Sequence, residues 1–346
     1  MTALSKPVPV GLFLTGLTLA ANTVWAVDVD LAAVDKARNA FVERMVEKHG
    51  FEAAELEAIL RGAQIDQDIL EAISRPAERV LEWHEYRDIF LTDTRVNGGV
   101  AFWQEHAGKI ANASESFGVA PELLVAILGV ETNYGRRMGS YRVVDALATL
   151  AFAYPPRAGF FASELEAFFL LVREEDMDPE SLLGSYAGAM GAGQFISSSF
   201  RAYAVDGNGD GRRDLWEDWE DVLASVANYF RAHGWRAGET VVERAALPDG
   251  RSPVESDNSM NLNDSVASVR EAGYEIATDL PGDTPATLLS LEGEDGREYW
   301  VGFHNFRVIT RYNRSVMYAL AVHQLGRAIL AGVEGLNLDG APDEGA

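Results

Sequence analysis

Apolar residues recur at three- and four-residue steps through most of the chain, the spacing that lines one face of a helix. Between Asp30 and Arg95, Val34, Ala37, Phe41 and Met45, then Leu56, Ile59 and Leu60, mark successive helices. Gly50 separates two of them. Ser74-Arg75-Pro76 marks a break, because the residue before proline is pushed out of the helical region. From about 96 to 237, longer apolar helices alternate with glycine-rich turns. The period changes between 238 and 306. There, short runs (Thr240-Val241-Val242, Tyr274-Glu275-Ile276, Thr287-Leu288-Leu289, Tyr299-Trp300-Val301) sit between Pro-Gly, Asp-Gly and Asn clusters, the pattern of strands and turns. Helix returns at Ser315 to Leu330, with Val316, Leu320 and Leu325 on its apolar positions. The pattern predicts an α+β fold, mainly α, without internal repeats. It divides into a leader (1–26), an N-terminal helical domain (27–95), a helical core (96–237), a small inserted β domain (238–306), a helix completing the core (307–335) and a disordered tail (336–346).

The leader carries Lys6, a largely apolar run from Val8 to Ala21, and Val24-Trp25-Ala26 ahead of a cut. That run has signal-peptide length, and no basic stop-transfer cluster follows it, so an exported protein is expected. No other stretch reads as long and apolar enough to span a bilayer. Composition narrows the rest. Among 346 residues, 53 acidic and 29 basic side chains give a net charge of −24. Such a surplus opposes nucleic acid and anionic lipid, which are held by Lys and Arg. With no cysteine, disulfides, thiolate metal sites and Cys nucleophiles are excluded. The six histidines, at 49, 84, 106, 233, 304 and 323, lack metal-ligand spacing and read as structural or surface residues.

Three segments carry candidate chemistry. In Pro121-Glu-Leu-Leu-Val-Ala-Ile-Leu-Gly-Val-Glu131, Pro121 suits a first helical position and Gly135 a stop. Leu123, Ile127 and Glu131 are four apart, so the helix delivers Glu131 on or beside its apolar face. Lost hydration there favours the protonated carboxyl, which a general acid needs. The segment from Gly184 to Phe195 has four glycines in its first ten residues, which permit close approach of a ligand or another element. Asp206-Gly-Asn208-Gly-Asp210-Gly211-Arg212-Arg-Asp214-Leu-Trp-Glu217 places oxygen side chains at positions 1, 3 and 5, glycine at 6 and Glu at 12, the EF-hand calcium-loop template. Glu217 fits the bidentate position, while Glu220 or Asp221 on the next helix are alternatives.

With Gly129-Val-Glu-Thr-Asn-Tyr-Gly135, Asp145 to Ala158, Gly184 to Phe195, the acidic loop and Ile309 to Val322 in this order, the chain resembles the membrane-type B lytic murein transglycosylases. The resemblance runs from about Glu43, through Ile73-Ser-Arg-Pro-Ala-Glu78, to about Leu330. It implies a goose-type lysozyme-like core preceded by a helical domain and interrupted by a small β domain. The family's catalytic acid falls on Glu131, and its acid-contacting serine on Ser185. Gln194, Tyr229, Arg157, Tyr312, Asn313, Tyr318 and Tyr134 fall on substrate-binding positions. Pro156 replaces an arginine of some members, and Asn133-Tyr134 an Arg-Trp pair. A structural Ca2+ is implied at Asp206, Asn208, Asp210 and the Arg212 carbonyl, with Asp221 or Glu217 completing it, and no organic cofactor. The implied partners are peptidoglycan glycan strands and other cell-wall enzymes. The implied setting is the periplasm, and the chain reads as a monomer.

Ordinary glycosidases use two carboxylates. The strong motif here supplies one, and the family's solution is attack by the substrate's own C6 hydroxyl, which yields a 1,6-anhydro ring. The competing readings are a hydrolytic lysozyme using Glu164 or Glu166 as second carboxylate, and a non-catalytic, calcium-stabilised glycan-binding protein.

Overall fold

The structure, a computed structural model, describes residues 29–74 and 81–335. The leader, the Arg75-Pro76 break and the C-terminal tail lie outside the described residues. The chain opens with helices α1 (Leu31–His49), α2 (Ala53–Gly62), α3 (Gln67–Ile73), α4 (Trp83–Phe90), α5 (Asp93–Glu105) and α6 (Ala107–Phe117). Asp30 caps α1 by accepting the Ala32 and Ala33 amides, and Gly50 ends it at φ 64°. The boundary expected at residue 95 falls inside α5, whose true start is set by the Thr92 cap. Residues 91–92 form the break instead, because the hydroxyl satisfies an otherwise orphaned amide.

Next come α7 (Pro121–Thr132), β1 (Tyr141–Arg142), α8 (Val143–Ala153), a 3-10 turn (Pro155–Arg157), α9 (Ala158–Glu174), β2 (Leu183–Gly184), α10 (Ser197–Tyr203) and α11 (Trp219–Ala232). In α7 every residue from Leu123 to Leu128 is at most 4 % exposed. A helix apolar on all sides has to be central, and α5, α6, α11 and α14 (Val316–Glu334) surround it. α14 has the length and apolarity of a membrane span, which the sequence pattern alone did not flag. It is a core helix here: Leu320, Ala321, Val322, Leu325 and Ile329 are fully buried.

Between α11 and α14 lie β3 (Val242–Ala246), β4 (Asp264–Ser265), α12 (Val266–Glu271), β5 (Glu275–Ile276), β6 (Pro285–Gly293), β7 (Gly296–Gly302) and α13 (His304–Ile309). The five strands form one antiparallel sheet in the order β4-β6-β7-β3-β5, with Leu289 opposite Trp300 and Arg244 also opposite Trp300. β6 is buried on both faces. Leu288 joins Val266, Val269 and Tyr274 in a second core, while Leu289 and Leu291 face the helices. The expected boundary after 306 cuts α13, whose Phe306 belongs to the main core.

α1 is clamped to α9 by Glu166, which meets Arg44 at 3.2 Å, Lys48 at 2.8 Å and His49 at 2.8 Å. Burial raises its pKa, but hydrogen bonds from Lys48 and His49 and the charges of Lys48 and Arg44 outweigh this, bringing it down from 4.5 to about 2. The folded value is depressed, so the stabilisation is full above pH 4.5 and disappears as pH falls toward 2. Glu166→Gln is therefore expected to lower Tm by about 2–4 °C at pH 7, the effect of about 1 kcal/mol. Melting curves of mutant and wild type should converge near pH 2. A gap unchanged by pH would assign the effect to packing.

Candidate active site

Glu131 occupies the last turn of α7 and is partly exposed at its end. The helix stops two residues before the expected Gly135. Asn133 (φ 52°) and Tyr134 (φ 61°) both take the left-handed conformation, and their amides bond to the carbonyls of Gly129 at 3.2 Å and Leu128 at 2.9 Å. Asn tolerates this conformation better than most side chains. The Thr132 hydroxyl donates to the Ala192 carbonyl at 2.8 Å and accepts from the Gly135 amide at 3.0 Å. That ties the end of α7 to the glycine-rich segment.

The Tyr318 hydroxyl, in the first turn of α14, donates to Glu131 Oε1 at 2.6 Å. Tyr318 is 1 % exposed, so it serves the acid directly and contributes no groove surface. Burial and then the Glu131 charge push its pKa well above 10, which keeps it a hydrogen-bond donor. Tyr312 is shifted up by the same two causes, and its hydroxyl donates to the Gly193 carbonyl at 2.6 Å. The Tyr229 ring lies 4.8 Å from Tyr312. Its hydroxyl, pushed to about 12 mainly by burial, donates to the Arg311 carbonyl at 2.6 Å. Tyr86 of α4 also acts electrostatically on Tyr318. Sequence reasoning missed Tyr86. The available signal was its place three residues after Trp83, on the same buried face of α4.

The glycine-rich segment forms the wall beside this cluster. β1 pairs with β2, setting Tyr141 opposite Gly184. Gly139, at φ 98°, is compulsory there, since a Cβ would lie 2.0 Å from the Gly184 carbonyl oxygen. The Ser185 hydroxyl, expected against the acid, accepts from the amides of Ala187 at 3.3 Å and Ala189 at 3.1 Å, and so shapes its own turn. Gln194 sits at φ 53°, and its side-chain amide donates to the carbonyls of Met138 at 3.1 Å and Gly191 at 2.9 Å.

Other expected substrate residues are not drawn into this cluster. Tyr134 is 5 % exposed, stacks on Phe102 at 5.7 Å and donates to the Arg95 carbonyl at 2.7 Å. It is a core residue, because the left-handed turn after Glu131 folds it back under α7. Arg157 is exposed and lies over the Phe160 ring at 4.2 Å. Asn313 is partly exposed at the α14 entrance, where its carbonyl accepts from the Ser315 amide at 2.8 Å. Both alternative carboxylates are committed elsewhere. Glu164 accepts from the Ser198 amide at 2.9 Å and hydroxyl at 2.7 Å, and Glu166 holds α1.

In the acidic loop Asp206 accepts from the amides of Gly209 at 2.7 Å, Asp210 at 3.1 Å and Gly211 at 2.8 Å. Asn208 accepts from Asp210, and Asp210 from the Arg212 amide at 2.9 Å. Asp221, 1 % exposed, reaches back to the Gly207 and Asp214 amides at 2.7 Å each, whereas Glu217 is exposed. Burial, reinforced by the Asp218 charge, raises the Asp221 pKa despite those amide bonds. Among the described residues, no three His, Asp or Glu side chains are gathered as ligands around one point. The donors nevertheless suit calcium in kind and order: hard oxygens, a glycine at the sixth position, and a buried carboxylate with no ion pair among the described residues.

The model of the transglycosylase SLT domain family matches residues 33–327. The chain is 43% identical over 298 residues to membrane-bound lytic murein transglycosylase B of Escherichia coli K12, covering 84% of this chain and 81% of that protein. The E. coli lytic transglycosylase Slt35 in complex with calcium superposes with a TM-score of 0.78 at 42% identity, covering 86% of this chain and 94% of that one. SltB3 of Pseudomonas aeruginosa in complex with NAG-anhNAM-pentapeptide gives 0.73 at 32% identity, covering 86% and 80%. Sharing the fold, the family model and sequence identity over most of its length, the chain belongs to the lytic murein transglycosylases, enzymes that cleave peptidoglycan.

Proposed function

We propose that this enzyme cleaves the β-1,4 bond between MurNAc and GlcNAc with formation of 1,6-anhydroMurNAc, Glu131 acting first as acid and then as base. The carrying observation is a single partly exposed carboxyl gripped by a buried tyrosine, while Glu164 and Glu166 are bound elsewhere. Glu131 donates its proton to the glycosidic oxygen as the bond to C1 breaks. The substrate's N-acetyl oxygen stabilises the cation at C1. The C6 hydroxyl then attacks C1 and gives its proton to ionised Glu131, which restores the acid and consumes no water. Intramolecular attack gains an effective molarity of about 10⁵ M or more. The Tyr318 hydroxyl stabilises the ionised form between the two steps and fixes the carboxyl's orientation. The complex of SltB3 with an anhydro-sugar ligand supports the product assignment.

Ser185 and Gln194 shape the wall of the groove, Tyr229 and Tyr312 its floor, and Asn313 and Arg157 are proposed to meet substrate further out. Asp206, Asn208, Asp210, the Arg212 carbonyl and Asp221 would hold Ca2+, which supplies charge compensation to the loop and takes no part in the reaction. The calcium complex of Slt35 supports this role. The leader directs the enzyme to the periplasm, where glycan strands are its substrate.

Mass spectrometry of products from purified sacculi tests the reaction. Anhydro-muropeptides are expected, 18 Da lighter than the hydrolysis products. Reducing MurNAc ends carrying solvent oxygen at C1 would make the enzyme a lysozyme instead.

A further inference from the structure

A second hollow, of about 390 Å³, opens at the opposite end of the α7–α14 pair. Glu122 at the start of α7, His323 and Arg327 on α14, and the strap from Trp235 to Glu243 that leads into β3 form its walls. Nine residue steps of helix separate Glu122 from Glu131, about 14 Å along the axis, so this space is not the glycan groove. The strap is rigid. Asn305, fully buried, accepts from the Arg236 amide at 3.0 Å and donates to the carbonyls of Arg236 at 2.7 Å and Glu239 at 3.1 Å.

Trp235 adds its ring to these walls, while its Nε1, a donor without an acceptor among the described residues, is closed to solvent and takes no part in the site. The His323 ring, also in the walls, makes no hydrogen bond or ion pair with the protein among the described residues. Burial, and then the Arg327 charge, holds that imidazole at about 4, so at neutral pH it offers one donor and one acceptor. Nothing in the catalytic cluster uses either residue.

Charge selects the ligand class. Glu122, Glu239 and Glu243 line the space against one cation, Arg327, although Arg236 lies 3.4 Å from Glu239 outside it. Partial burial raises the pKa of Glu243. We propose that this hollow is a binding site for a small organic cation, a primary ammonium on a short carbon stem. The stem lies against Leu123 and Val322, and the ammonium is held by the carboxylates and attracted by the Trp235 ring. The His323 acceptor takes one of its N–H groups. An anion would meet three carboxylates.

The test uses the full chain and 1,5-diaminopentane, with 1,5-pentanediol as the uncharged control. The indole N–H resonance of Trp235, assigned with Trp235→Phe, is followed by NMR during each titration. The diamine is expected to give a saturable shift and the diol none. Glu239→Gln with Glu243→Gln should weaken diamine binding at least tenfold. No saturable shift, an equal response to the diol, or undiminished binding by the double variant overturns the proposal. If the double variant fails to fold, the diamine–diol comparison on the unaltered protein decides alone.

Discussion

Glu131→Gln is expected to slow peptidoglycan cleavage about 10³-fold or more while leaving the melting temperature nearly unchanged. General acid–base catalysis contributes about 10²–10⁴-fold at one step, and in the proposed mechanism a single carboxyl serves two. The amide keeps the size of the side chain, and its oxygen can still accept from Tyr318, so the packing around α14 survives. It can neither donate the first proton nor accept the second. Turnover of isolated sacculi, measured alongside a melting curve, reads the two effects separately. Activity within tenfold of the unaltered enzyme would take Glu131 out of this role.

The second large effect is on stability. Calcium at a thousandfold excess over its Kd should stabilise the fold by about 4.1 kcal/mol if only the folded state binds it. In Tm this amounts to about 8–16 °C. The physical source is Asp221, a buried carboxylate whose ionised form is disfavoured by burial and by the Asp218 charge and would be favoured by a divalent cation. Magnesium should substitute poorly, since it demands tighter octahedral geometry and holds its waters. Asp210→Ala should abolish most of the shift and leave turnover at low temperature largely intact. Equal melting of chelator-treated and calcium-loaded protein would reduce the loop to a plain turn.

Much of this was legible before the structure. The spacing of Leu123, Ile127 and Glu131 placed the carboxyl at the end of an apolar helix, and short β-branched and aromatic runs located β3, β5, β6 and β7. What escaped has local physical reasons. Two consecutive left-handed residues after Thr132 turn Tyr134 inward, and no periodicity encodes that reversal. Tyr86 joins the cluster from a helix packed some distance away, so no segment near Glu131 announces it. Asp221 and Glu217 differ only in which side of the α11 cap they occupy, so composition alone could not separate them. The domain divisions expected after 95 and 306 fall inside α5 and α13, because these helices are defined by capping and by Phe306 burial rather than by a change of texture.

The hydrogen bond between Tyr318 and Glu131 joins residues 187 positions apart. Between them lie the acidic loop and the whole β unit, and α14 reaches α7 only after both have been made. A chain still emerging, or one clipped before Ser315, carries its acid without the tyrosine that orients it. The two residues of this hydrogen bond therefore meet only once α14 has packed on α7.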